Sequence, residues 1–169
     1  MILDILKYGD PRLEQKADPV ADINGQLKEL VENMFETMYA AQGIGLAATQ
    51  VGVLKRLFIM DCSGGKDPED RYVFINPRII TTEGEVVGEE GCLSLPGIYL
   101  KVARPQRIVA AALDMEGREF TVEVTDLAAR CVAHEIDHLD GQLMLNRVSP
   151  IKRDFAQRKI RKLVKAGQW

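Results

Sequence analysis

The chain has 169 residues, 46% of them hydrophobic and 28% charged, with a formal net charge of −3 at pH 7. That length fits one domain with a core of its own, and the weak acidity excludes the strongly basic DNA-binding and membrane-surface classes. Three cysteines at irregular spacing make no disulfide framework, so a reducing cytoplasm is expected and each thiol stays available as a ligand.

The opening Met1-Ile2-Leu3-Asp4-Ile5-Leu6 is broken by an acid and does not read as a signal peptide, and no apolar run reaches membrane-spanning length. Residues 1–21 read as a loop-rich arm with turns at Gly9-Asp10-Pro11 and Asp18-Pro19. From Asn24 the pattern turns helical. Leu27, Leu30, Val31, Met34, Phe35 and Met38 recur at steps of three and four, with Asp22 or Asn24 able to cap the start and Gly43 able to end it.

The middle of the chain is strand-like. Residues 55–61 and 72–76 are apolar and β-prone, separated by the turn-rich Ser63-Gly64-Gly65-Lys66-Asp67-Pro68. Residues 78–82 and 85–87 flank Glu83-Gly84 as an expected hairpin, and strands follow at 98–102, 107–114 and 119–124. Thr125-Asp126 then opens a helix with Leu127, Cys131, His134 and His138 on one stripe, stopped by Gly141. A last helix runs from about residue 150 to 165. It carries Lys152, Arg153, Arg158, Lys159, Arg161, Lys162 and Lys165 against Asp154 alone, which fits either a solvated face or a basic docking surface. The expected fold is α+β: one domain over residues 1–169, short antiparallel strands around a central helix, and flanking N- and C-terminal helices, the latter a basic segment at 150–169.

His134-Glu135-Ile136-Asp137-His138 holds the only two histidines. At i and i+4 two imidazoles lie one above the other and can grip one metal ion, while the enclosed carboxylate can work on metal-bound water. Catalytic sites of this kind use three protein ligands and leave a position for water. The third histidine of the longer protease motif is absent, with Met144 in its place, and Glu135 is the last glutamate in the chain. The third ligand must come from upstream, and thiolate is the best donor left. Cys131 lies seven residues before His138, roughly 10 Å along the axis, and reads better as an apolar wall. Cys62 ends a buried-looking strand and reads as a core thiol. Cys92, in Glu90-Gly91-Cys92-Leu93-Ser94-Leu95-Pro96-Gly97, sits where glycines allow close backbone approach, and it is the favoured ligand.

Three segments together resemble peptide deformylase of the bacterial type. They are Gly43-Ile44-Gly45-Leu46-Ala47-Ala48-Thr49-Gln50, Glu90-Gly91-Cys92-Leu93-Ser94 and His134-Glu135-Ile136-Asp137-His138, which match the family's GxGLAAxQ, EGCLS and HExxH motifs in order. The resemblance implies a metal-dependent hydrolase that removes the formyl group from formylmethionyl nascent peptides and releases formate. It implies Cys92, His134 and His138 as ligands of one divalent ion, commonly Fe(II) in vivo, with nickel, cobalt or zinc replacing it in purified protein. Glu135 would be general base and acid, and Gln50 with the Leu93 backbone N–H would stabilise the oxyanion. Ile44, Gly45 and Gly91 would receive the peptide backbone. Leu127 and Cys131, with Ile44, are expected to wall a methionine pocket. The resemblance also implies docking on the ribosome through the basic C-terminal helix. One position departs from the pattern: Tyr99 stands where many relatives carry an arginine that steadies the substrate's main chain. The rival readings are an HExxH-type endopeptidase, against which the missing third histidine speaks, and a non-catalytic module with a structural metal, which would usually need a fourth ligand.

Overall fold

A computed structural model describes residues 1–169, and its elements follow the hydrophobic periodicity closely. Helix α1 spans Gly25–Ala40, capped where the Asn24 side chain accepts the Leu27 N–H at 3.0 Å. It buries Leu27, Val31, Met34, Phe35 and Met38 on the anticipated stripe. The helix stops earlier than Gly43: Gln42 takes the left-handed conformation with φ 58°. Gly43 serves packing instead, because a Cβ there would lie 2.7 Å from the Leu93 side chain.

Strands β1 (Gly45–Ala47), β2 (Leu57–Asp61), β3 (Arg71–Glu83), β6 (Arg107–Leu113) and β7 (Glu119–Thr125) form a five-stranded antiparallel sheet in the order β1-β2-β3-β6-β7. Strands β4 (Val86–Gly91) and β5 (Tyr99–Arg104) form a separate antiparallel pair. Two expectations fail here. The stretches 72–76 and 78–82 are one strand, which continues past Pro77 through an irregularity at Asn76, where φ is 50°. The hairpin across Glu83-Gly84 does not form. Gly84 does turn the chain, with φ 69°, but β3 pairs with β6 and β4 with β5, because the chain leaves the large sheet at that turn.

Helix α2 (Asp126–Leu139) is almost wholly buried and packs on the sheet with Phe58, Phe74, Ile108, Ala129, Val132 and Ile136 in one core cluster. Thr125 occupies its N-cap position without making a side-chain capping bond. The C-terminal end is anchored more firmly: Ala17 N–H and Arg56 both donate to Leu139 O, each at 2.9 Å. Gly141 follows at φ 73°, against the backbone of Glu14. Helix α3 (Pro150–Lys165) is capped by Ser149 and buries Ala156 and Ile160 against Leu95, Ile98 and Val102, so it braces the segment after Cys92 from behind. No helix is long and apolar enough to cross a membrane.

Candidate active site

One cavity of about 500 Å³ opens between the edge strand β1 and strand β4. Leu127, Arg130, Cys131, His134 and Glu135 reach it from α2, Ile44, Gly45 and Gln50 from the β1 side, and Gly91, Cys92 and Leu93 from the end of β4. Cys92 Sγ lies 3.3 Å from His138 Nε2, which lies 3.2 Å from His134 Nε2. The three candidate ligand atoms all fall within 4.8 Å of one another. The i, i+4 spacing delivers both imidazoles from α2, and the turn after β4 delivers the sulfur. Cys131 faces the Ile44 carbonyl and stands apart from this group, and Cys62 is half-buried beside the core.

The donor set suits a cation. Burial opposes charge on His134, yet Cys92, Glu90 and Glu135 outweigh it and push its pKa well above the ordinary value. His134 Nδ1 is taken by Glu90, so a divalent ion in these negative surroundings would sit at Nε2, which faces His138. His138 moves the other way, well below its usual value, through burial and the neighbouring His134. Thiolate and imidazole together suit iron, zinc, nickel and cobalt better than magnesium or calcium.

Glu135 is 3% exposed, and burial pushes its pKa up to about 7. Its Oε1 is 3.9 Å from His134 Nε2, and its Oε2 has no hydrogen-bond partner in the protein. Gln50 is oriented by Ala47, whose N–H donates to Gln50 Oε1 at 2.9 Å. That contact turns Nε2 towards Ser94 Oγ at 3.0 Å and Cys92 Sγ at 3.7 Å. The Leu93 N–H makes no hydrogen bond within the chain, leaving a second donor beside the sulfur. Any side chain at Gly45 would force its neighbours to shift, because a Cβ would sit 2.6 Å from Cys131 Sγ and 3.1 Å from Glu135 Oε1. Leu127 stands at the cavity mouth and is 52% exposed, so it rims the pocket more than it encloses it. Tyr99 pairs with Gly91 across β4 and β5 and lies over it, where a Cβ would meet the ring at 2.9 Å.

Sequence reasoning missed the shell behind the ligands. Glu90 Oε2 meets His134 Nδ1 at 2.6 Å, and Arg104 holds both Glu90 oxygens, at 3.0 and 2.7 Å. Arg104 also donates to Asp137 at 2.6 Å, Asp137 accepts two bonds from Arg147, and Arg130 adds a bond to Glu90. Burial alone would raise the Glu90 pKa, and His134 and Arg104 overcome it, holding the carboxyl far below its usual range. Glu90 orients the imidazole as carboxylates behind metal-bound histidines do. Its place beside Gly91-Cys92 was the one available signal.

Two imidazoles, a thiol and a buried carboxylate converge on one cavity, a set able to hold a metal ion and act on water, as in metal-dependent hydrolases. The family model described as polypeptide deformylase matches residues 2–154. A peptide deformylase of Thermodesulfovibrio yellowstonii is 49% identical over 160 residues, covering 95% of this chain and 97% of the relative. One from Acidobacterium capsulatum is 48% identical over 169 residues, covering 100% and 99%. The crystal structure of a peptide deformylase from Legionella pneumophila superposes with a TM-score of 0.93 at 42% identity, covering 99% of this chain and 98% of that one. The chain belongs to the polypeptide deformylase family. It is a metal-dependent hydrolase of formylated peptides.

Proposed function

We propose that residues 1–169 act as one catalytic domain in which Cys92, His134 and His138 hold a single Fe(II) ion and Glu135 moves the protons of formyl-group hydrolysis. The observation that carries this reading is the approach of the three donor atoms to within 4.8 Å of one another, next to a buried carboxylate with a free oxygen. Held by Cys92, His134 and His138, a divalent ion would supply polarisation of the formyl carbonyl and acidification of water at the site. Glu135, poised at about 7, accepts a proton from water and returns it to the amine that departs. Negative charge growing on the formyl oxygen meets the Gln50 amide and the Leu93 N–H; removing one such donor typically costs ~10²–10³ in rate.

The peptide backbone runs between two open strand edges, Ile44 and Gly45 on one side and Gly91 on the other, in the manner of an added strand. Cys131 and Leu127 bound the methionine side chain. Formate release from formyl-Met-Ala-Ser, run beside casein cleavage, tests the reading. Glu135→Gln is expected to keep its metal and lose turnover, and surviving turnover would overturn the assignment of the base.

A cytoplasmic enzyme of this kind works on nascent chains, and the basic face of α3 supports docking on ribosomal RNA. Lys152, Arg161, Lys162 and Lys165 are exposed and make no salt bridge. Deleting α3 would also strip Ala156 and Ile160 from behind the Cys92 loop, so reversal of these four charges is the cleaner test. Salt-sensitive ribosome binding should vanish with formate release intact; unchanged binding would remove the docking role.

A further inference from the structure

A second cavity of about 850 Å³ lies beside the first and is lined mainly by apolar side chains, among them Leu3, Ile5, Leu6, Ala40 and Trp169. Ala41, Leu93 and Pro96 line both cavities, so the two are separated only by the wall that carries the residue after Cys92. The floor of the second cavity is the N-terminal arm, residues 1–7, which belongs to neither sheet but is tied to the body by inward bonds two residues apart. Leu6 N–H donates inward to Gln50 O at 2.7 Å and Tyr8 N–H to Ser94 O at 2.8 Å. Backbone groups alternate along an extended chain, so the N–H groups of Ile5 and Lys7 face the opposite way. Neither makes a hydrogen bond within the protein. The arm therefore presents two free N–H donors, Ile5 and Lys7, along the groove, while Lys7 O is held in a turn by the Asp10 N–H at 3.0 Å. Trp169 closes the far side, its indole N–H donating to Tyr8 O at 2.9 Å.

We infer that this groove receives the extended stretch of substrate polypeptide that lies beyond the first few residues, binding it by strand addition along Ile5 and Lys7 with alternate apolar side chains against Trp169. The inference rests on the first cavity being the deformylation site. A cavity of about 500 Å³ accommodates a drug-sized group, the first few residues of a peptide, so any longer chain must leave it. A chain leaving across Leu93 and Pro96 enters the groove directly. Main-chain pairing is blind to sequence, and an indole offers a broad apolar surface at low ordering cost, which suits an enzyme that meets many different polypeptides.

Such remote binding acts equally on ground and transition states, so it lowers KM and leaves kcat alone. Formyl-Met-Ala-Ser should be compared with the same peptide extended by six residues alternating valine and threonine. The longer peptide should show a KM about tenfold lower at equal kcat, the net of burying one or two side chains against their ordering. Trp169→Ala and Ile5→Asp should each return that KM to the tripeptide value while leaving tripeptide kinetics untouched. Trp169 is the only tryptophan in the chain, so its emission should shift with the long peptide and stay still with the short one. Equal KM for both peptides, or a length advantage that survives both substitutions, would overturn the inference. So would sedimentation showing a dimer that Trp169→Ala dissociates. The emission titration needs no turnover, so it decides the groove even if the assignment of the catalytic site fails.

Discussion

Replacing Glu90 by glutamine keeps the shape of the side chain and removes its charge, which isolates what that carboxylate does for the metal centre. Glu90 holds His134 Nδ1 at 2.6 Å, both forks of Arg104, and Arg130 at 3.1 Å, with side-chain exposures of only 5% for itself and 4% for Arg104. Removing one partner from a buried ionic group costs ~3–5 kcal/mol, because the partners left behind remain desolvated. Asp137 still faces Arg104, so the loss should fall at the lower end of that range. For a domain of this size each kcal/mol moves the melting temperature by about 2–4 °C, which puts the expected fall at roughly 6–12 °C. The imidazole also loses the acceptor that fixes its orientation, and metal affinity should drop ~10–100-fold. Thermal melting of the metal-loaded enzyme and competition with a graded series of chelators read the two effects separately. An unchanged melting temperature together with unchanged chelator competition would refute the argument that Glu90 secures both the fold and His134.

Gly45→Ala inserts a Cβ 2.6 Å from Cys131 Sγ and 3.1 Å from Glu135 Oε1, so it should cost ~1–3 kcal/mol of stability and lower kcat by displacing the base. Adding Cys131→Ala removes the closer clash and should restore part of both, measured by melting and formate release; no recovery would mean that the strain lies elsewhere. The Asp61 pKa lies below its usual 3.8: burial would raise it, and the bonds from Ser63, Tyr39 and Gly65 prevail. Its stabilising contribution is therefore complete above the unfolded value and fades as pH falls through the folded one. Urea midpoints of wild type and Asp61→Asn should differ at pH 7 and draw together only as pH falls below 3.8, and a constant difference would contradict the linkage. An iron–thiolate pair is open to oxidation at sulfur. The Fe(II) form should lose activity in peroxide faster than a zinc or nickel form, and equal decay would argue against Cys92 as a ligand of the active metal.

The parts of the fold that local signals specify were legible in advance. Helix α3 begins at Pro150 behind the Ser149 cap, and the stripe of α1 buries the residues its periodicity selects. Local signals failed where a distant partner decides the outcome. Pro77 and Asn76 look like a strand break, yet β3 passes through them because the Asn76 side chain accepts the Val20 N–H at 2.8 Å and donates to Val20 O at 3.1 Å. Nothing near position 76 announces a contact with residue 20. Glu83-Gly84 has the chemistry of a hairpin and does turn, but the strands on either side belong to different sheets.

The same division runs through the site. Its candidate ligands could be picked out because imidazole and thiol are scarce in this chain and few arrangements of them can bind a metal. The ion-pair shell could not, because Glu90, Arg104 and Asp137 are ordinary charged residues on β4, β5 and α2 until the fold buries them together. That shell explains how a site assembled from two halves stays in register. Helix α2 supplies both imidazoles and the Glu135 carboxylate as one rigid unit, and the turn after β4 supplies the sulfur. Glu90 stands two residues before that sulfur and grips His134 from behind, so the carboxylate that orients one candidate ligand also ties the strand leading to the other. Arg104 reaches from β5 to Glu90 on β4 and Asp137 on α2 at once, coupling the small sheet to the helix. Loosening this ionic shell should therefore open the spacing between Cys92 and the histidines before it unfolds either half.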